Sequence, residues 1–220
     1  MQGWVSKAVQ DGLSPRSIRK FHTLLHSIFK AAVRDRIIAY NPSDGTSLPK
    51  VISTRRATIT PAQFDALLAA ISRQHRALLQ VGIETGMRWG ELAALRPRHL
   101  NLTLDLDLDL NRATVLVAET IVEISKKDFP TRQRHTLKPH PKDDQHRTPA
   151  ITPELASILM HRIATLGLQP DDLLFPSTTR DIQQPTNRNT FCTRTWRPAL
   201  QAAGLPLTIR MHDLRHAHAS

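Results

Sequence analysis

Cysteine is almost missing from this 220-residue chain, in which Cys192 stands alone. One thiol can close no intrachain disulfide and can build no multi-cysteine zinc site, which fits a reducing compartment. Long apolar runs are missing as well. No stretch approaches the ~18 consecutive apolar residues of a membrane-spanning helix. The start, Met1-Gln2-Gly3-Trp4-Val5-Ser6-Lys7, has no apolar core of a secretion signal. The expectation is a cytoplasmic protein with no membrane partner. Acidic residues are in deficit: 19 Asp and Glu face 30 Lys and Arg, for a formal net charge of +11. That excess points to a polyanionic partner, nucleic acid ahead of membrane.

The charge is unevenly spread. Residues 1–58 hold 10 Lys and Arg against 3 Asp and Glu, so about a quarter of the chain carries +7 of the total. Ser14-Pro15 is a helix start, with a capping hydroxyl and proline at the first helical position. Ile18, Phe21, Leu24, Leu25, Ile28 and Phe29 then recur at helical spacing, decorated by Arg16, Arg19, Lys20, Lys30 and Arg34. The collective excess reads as a DNA-facing surface, although any single lysine here is better explained by a solvated helix face. The turn residues Asn41-Pro42-Ser43-Asp44-Gly45 end this helical region. Residues 49–58 lack periodicity and read as a linker, which divides the chain into a helical domain over 1–48 and a larger one over 59–220.

In the larger part, Thr60-Pro61-Ala62-Gln63 opens a helix as a capping box, and a second helix over about 75–84 runs into Gly86. Leu102, Leu104, Leu106, Leu108 and Leu110 then alternate with polar residues, and 115–124 is rich in β-branched residues, so the period changes to that of strands. Residues 136–138 and 146–148 are read as two strands joined by a turn that carries Lys142. Helices follow over about 153–165 and 186–203. The second of these turns Phe191 and Trp196 inward and Arg188, Arg194 and Arg197 outward, with a possible kink at Pro198.

Two basic boxes stand out, Thr85-Gly86-Met87-Arg88-Trp89-Gly90-Glu91-Leu92 and His212-Asp213-Leu214-Arg215-His216. Each sets an arginine beside glycine or histidine at the edge of an apolar helical pattern. Arginine rarely enters a pocket without an anion to meet there. Two of them suggest a site that grips one phosphate from two sides. Arg88 and Glu91 share a helical face, where the carboxylate either orients the guanidinium or forms a simple ion pair. His212 and His216 are four residues apart, a spacing that can chelate zinc, so a metal-dependent hydrolase using His212, His216 and His218 is a remote alternative. No glutamate accompanies them in the metalloprotease pattern, and Arg215 between them repels a cation.

With the boxes placed, nearly the whole chain resembles the tyrosine recombinase, or phage integrase, family. TGMRWGEL, a lysine in a β-turn and a late HDLRH follow in the family's order, and GLSPRSIRKFHTLLHSIFKAAVRDRIIAYNP is similar to the second half of its core-binding domain. The resemblance implies a mainly α fold with a small antiparallel β-sheet. A partial helical core-binding domain would precede an α+β catalytic domain that lacks its C-terminal helices. By position, Arg88 matches the first catalytic arginine, Lys142 the hairpin lysine, His212 the histidine and Arg215 the second arginine; Lys138, four residues before Lys142, stays open for the lysine. In the family a tyrosine attacks a DNA phosphate, displaces the 5′-hydroxyl and forms a 3′-phosphotyrosyl bond. The implied partner is double-stranded DNA, held by a homo-tetramer of the full-length protein, with no cofactor, metal or ATP. The family's tyrosine lies well beyond the second arginine, whereas Tyr40 is the only tyrosine here. The expectation is therefore a chain truncated at both ends that binds DNA without cleaving it; the alternative is a DNA-binding protein with no chemistry.

Overall fold

A computed structural model describes residues 1–52, 58–102, 113–124, 135–139, 146–177 and 183–218. The chain falls into two compact units, Met1–Arg56 and Ala57–Ser220.

In the first unit, α1 (Gln2–Gln10) is followed by α2 (Pro15–Arg34). The Ser14 hydroxyl accepts from Ser17 N at 3.1 Å, and Pro15, with no N–H to leave orphaned, occupies the first turn. The core is small: Val5, Ala8 and Ile18, with Trp4 and Leu48 against them. Helical spacing overstates burial on α2, where Phe21, Leu24 and Ile28 are 46%, 59% and 54% exposed. The expected helical region to residue 48 also stops early. Arg36 turns into the left-handed region at φ 59°, Ile37 N closes the helix end by donating to Ala32 O at 2.8 Å, and the chain beyond is tied back to α2 by side chains. Asn41, buried, donates to His26 O at 3.2 Å and accepts from Ser43 N at 3.0 Å, while His26 Nδ1 lies 3.0 Å from Ser43 Oγ. Asparagine and serine compete with helical hydrogen bonds in this way, which is why they mark the turn.

The second unit opens with α3 (Pro61–Ala70), started by the expected capping box: Gln63 N donates to Thr60 Oγ1 at 3.3 Å and Thr60 N to Gln63 Oε1 at 2.9 Å. Next come α4 (Arg73–Thr85) and the short α5 (Trp89–Ala93). β1 (Leu100–Asn101) pairs antiparallel with β2 (Thr114–Val115), and β3 (Thr120–Glu123) with β4 (His135–Lys138), Thr120 opposite Lys138 and Glu123 opposite His135. This corrects the expected strand pairing. Residues 136–138 join the β-branched 120–123 segment instead of 146–148. Arg147 faces Val117, whose N–H donates to Arg147 O at 2.9 Å, and Val115 N donates to Pro149 O at 3.0 Å. The alternating leucines from 104 to 110 lie outside the described residues.

α6 (Pro153–Leu166) is capped by Thr152, which also donates from N and Oγ1 to the Glu84 carboxylate at 2.8 and 3.1 Å and so fixes α6 to α4. α7 (Arg188–Phe191), a π-helical turn (Cys192–Trp196) and α8 (Arg197–Ala202) follow without interruption. In an α-helix the Pro198 ring crowds the carbonyl four residues back, and here that turn is wound wide. The last described helix is α9 (Met211–His218). One core joins these elements, with Leu79, Leu92, Leu155, Leu174, Phe191 and Leu214 all at its centre. Mainly α with small antiparallel sheets is thus the observed class. Among the described residues no helix is long and apolar enough to cross a membrane.

Candidate functional site

The turn between α4 and α5 sets the first box. Gly86 closes α4 at φ 58°, and a Cβ there would stand 2.7 Å from the His218 ring. Both facts favour glycine. The chain then reaches Arg88, the residue that starts α5. Its backbone N–H donates to Glu91 Oε2 at 2.8 Å and its Nη1 to Glu91 Oε1 at 3.1 Å. Glu91 has a side chain only 1% exposed, a costly place for a charge unless donors surround it. A third donor is Arg147 Nη2, 2.6 Å from Oε2. Two guanidiniums therefore meet the one Glu91 carboxylate. α5 lies directly on β3: a Cβ on Gly90 would stand 2.5 Å from Ile121 O.

The second box is on α9, and its start repeats the same device. Arg210 N donates to Asp213 Oδ2 at 2.8 Å and Arg210 Nη2 to Oδ1 at 3.1 Å. Asp213 is buried, as is Leu214, which packs toward Gly82 of α4. This packing carries Arg215 to the first box, where Nη1 donates to Gly86 O at 2.6 Å. That contact spends one of the five N–H donors of the guanidinium. His212 stands one turn earlier on the same face, and its ring meets His216 edge to face at 4.8 Å. Partial burial, then the positive charges of His216, Arg215 and Arg210, hold His212 below its ordinary 6.5, against an opposite pull from Asp213. His212 is therefore largely neutral near pH 7 and able to accept a proton.

Of the four residues singled out by sequence, Arg215 reaches the turn that leads into Arg88, and His212 lies on α9 one helical turn before Arg215. Lys142 lies outside the described residues. Lys138 ends β4, exposed and opposite Thr120, whose Oγ1 faces Gly90. Among the described residues no group of three or more His, Cys, Asp or Glu is placed to hold a metal. Arg147 and Asp213 received no role from sequence. The repeat of Arg at i with an acid at i+3 was there to find Asp213, but Arg147 reaches Glu91 across 56 residues and leaves no local signal.

The sequence model of the phage integrase family matches residues 57–220. The chain belongs to that family. It is 24% identical over 218 residues to the tyrosine recombinase XerD of Pseudomonas putida, covering 96% of this chain and 63% of that relative's length. Among solved structures, a Tn1549 transposon integrase in complex with a circular intermediate DNA aligns with a TM-score of 0.78 at 19% identity, over 99% of this chain and 69% of the other. A lambda integrase dimer bound to a COC′ core site aligns at 0.58 and 19% identity, over 98% and 54%. At that identity the structural likeness speaks for the fold alone. Both boxes lie within the residues matched by the phage integrase family model, and Arg215 joins the second to the Gly86 turn of the first.

Proposed function

We propose that this chain serves site-specific DNA recombination, with its second unit gripping a phosphodiester of duplex DNA. The observation that carries this reading is the Arg215–Gly86 hydrogen bond of 2.6 Å, which places the second arginine box two residues from Arg88. Arg88 and Arg215 offer planar donor forks to the non-bridging oxygens, where charge gathers as phosphorus is attacked. His212, held neutral, accepts the proton of an attacking tyrosine hydroxyl, and Lys142, with Lys138 as the alternative, donates one to the leaving 5′-oxygen. The phosphotyrosyl bond conserves the energy of the broken one, so rejoining needs only the free hydroxyl of another strand. Residues 1–48 act as a DNA-facing helical domain and 59–220 as the catalytic domain, in a homo-tetramer on DNA within the cytoplasm.

A second reading, DNA binding without cleavage by this chain, is favoured by one observation. Tyr40, the sequence's only tyrosine, is 75% exposed and belongs to the first unit rather than to the one that holds the arginines. One experiment addresses both. Incubation with nicked duplex DNA, followed by denaturing electrophoresis, reads covalent product. Titration in rising salt reads binding, with a log–log slope of about 0.9 per phosphate neutralised. Salt-dependent binding weakened by Arg88→Ala and Arg215→Ala supports the phosphate grip. Covalent product lost with those variants supports recombination by the chain itself. Salt-insensitive binding, or no effect of either substitution, overturns the proposal.

A further inference from the structure

Arg147 takes no part in the family pattern described above, yet it shares a carboxylate with the arginine at the centre of the site. Its Nη2 lies 2.6 Å from Glu91 Oε2, the oxygen that also accepts the Arg88 N–H at 2.8 Å; Oε1 takes Arg88 Nη1 at 3.1 Å. The terminal torsion of a glutamate is broad when left alone. Here donors on both oxygens hold it, and among the described residues Arg147 is the one that comes from outside the Arg88–Ala93 segment. Arg147 itself is anchored by its backbone, since its carbonyl accepts from Val117 N at 2.9 Å. Its side chain, 31% exposed, is half-sheltered beside a carboxylate that is 1% exposed.

We infer that Arg147 is a positioning residue: through Glu91 it fixes the plane in which Arg88 presents its guanidinium to a DNA phosphate. Remove Arg147 and Glu91 Oε2 loses the donor that reaches it from a segment distant in sequence, so the carboxylate that carries Arg88 Nη1 loses that reference to the rest of the fold. The inference rests on the phosphate-gripping role proposed for Arg88.

The test uses the full chain with Arg88→Ala, Arg147→Ala, Arg147→Lys and the Arg88→Ala/Arg147→Ala double variant. Side-chain nitrogen NMR of the free protein reads Arg88 directly. Its Nη protons are expected to be resolved in the parent chain, to merge by fast rotation in Arg147→Ala and to separate again in Arg147→Lys, which restores a cation to Glu91. Titration with duplex DNA reads the consequence. Each single alanine variant should lower the salt slope by about 0.9 and weaken binding several-fold, and the double variant should be no weaker than either, because both lose the same contact. Losses that add in the double variant show that Arg147 holds a phosphate of its own and overturn the inference. So do unchanged Arg88 resonances in Arg147→Ala, or a folded Arg147→Lys chain in which they stay merged. If Arg147→Ala does not fold, the Lys variant decides alone. Unchanged DNA binding in Arg88→Ala instead sinks the phosphate grip, while the resonances still decide whether Arg147 holds Arg88.

Discussion

The two boxes use one local device with unequal depth. In each, an arginine at the start of a helix gives both its backbone N–H and its guanidinium to an acid three residues on. Glu91 is 1% exposed and has a third donor from Arg147, distant in sequence, whereas the Asp213 side chain is 8% exposed and its partner Arg210 is 46% exposed. The first clamp holds the arginine proposed to meet phosphate. The second holds a neighbour, and Arg215 is placed by a backbone carbonyl of the other box. A shared motif at i, i+3 therefore does not mark the functional arginine; what the clamped residue is connected to does.

The largest contrast should come from cutting each clamp. Glu91→Ala removes the buried carboxylate that two half-sheltered guanidiniums share, and losing it should cost about 3 kcal/mol, readable as a shift in urea midpoint. Gly90→Ala comes next, because the added Cβ collides with the Ile121 backbone oxygen, which cannot swing away like a side-chain tip. Overpacking of this sort costs about 2 kcal/mol, in the same assay. Asp213→Ala removes a cap and a half-exposed pair, for about 1 kcal/mol; a loss equal to that of Glu91→Ala would erase the difference in depth.

The smallest effect is on pH dependence. His75 and His99, both lowered mainly by burial, join His212 below the ordinary 6.5. In each case the unfolded chain binds protons more readily than the folded one, so stability rises with pH through that window and is lost as pH falls below about 6.5. The thermal midpoint should drop from pH 7 to pH 5. His212→Gln should soften that drop slightly, with the remainder belonging to His75 and His99, away from either clamp.

Local chemistry was legible in the sequence wherever a side chain reaches its own backbone. Ser14, Thr60 with Gln63, and Arg88 with Glu91 all act within three residues, and spacing shows them. Burial on α2 was not legible, since the 3.6-residue period of Phe21, Leu24 and Ile28 says that they share a face but not that anything covers it. Strand pairing failed for a related reason: 136–138 and 146–148 are close in sequence, but partners are chosen across the sheet, and 120–123 wins. Arg147 was invisible because nothing in a strand's alternation announces a buried carboxylate 56 residues away.

The hydrogen bond from Arg215 to Gly86 closes a loop of 129 residues. During synthesis at ordinary rates, the first arginine leaves the ribosome on the order of ten seconds before the second. Every nascent copy thus passes through an interval in which the α4–α5 turn is complete and its partner helix does not yet exist. On the proposed reading a half-made chain can attract a phosphate from one side only, so the proposed two-sided grip comes into being only after α9 has been made.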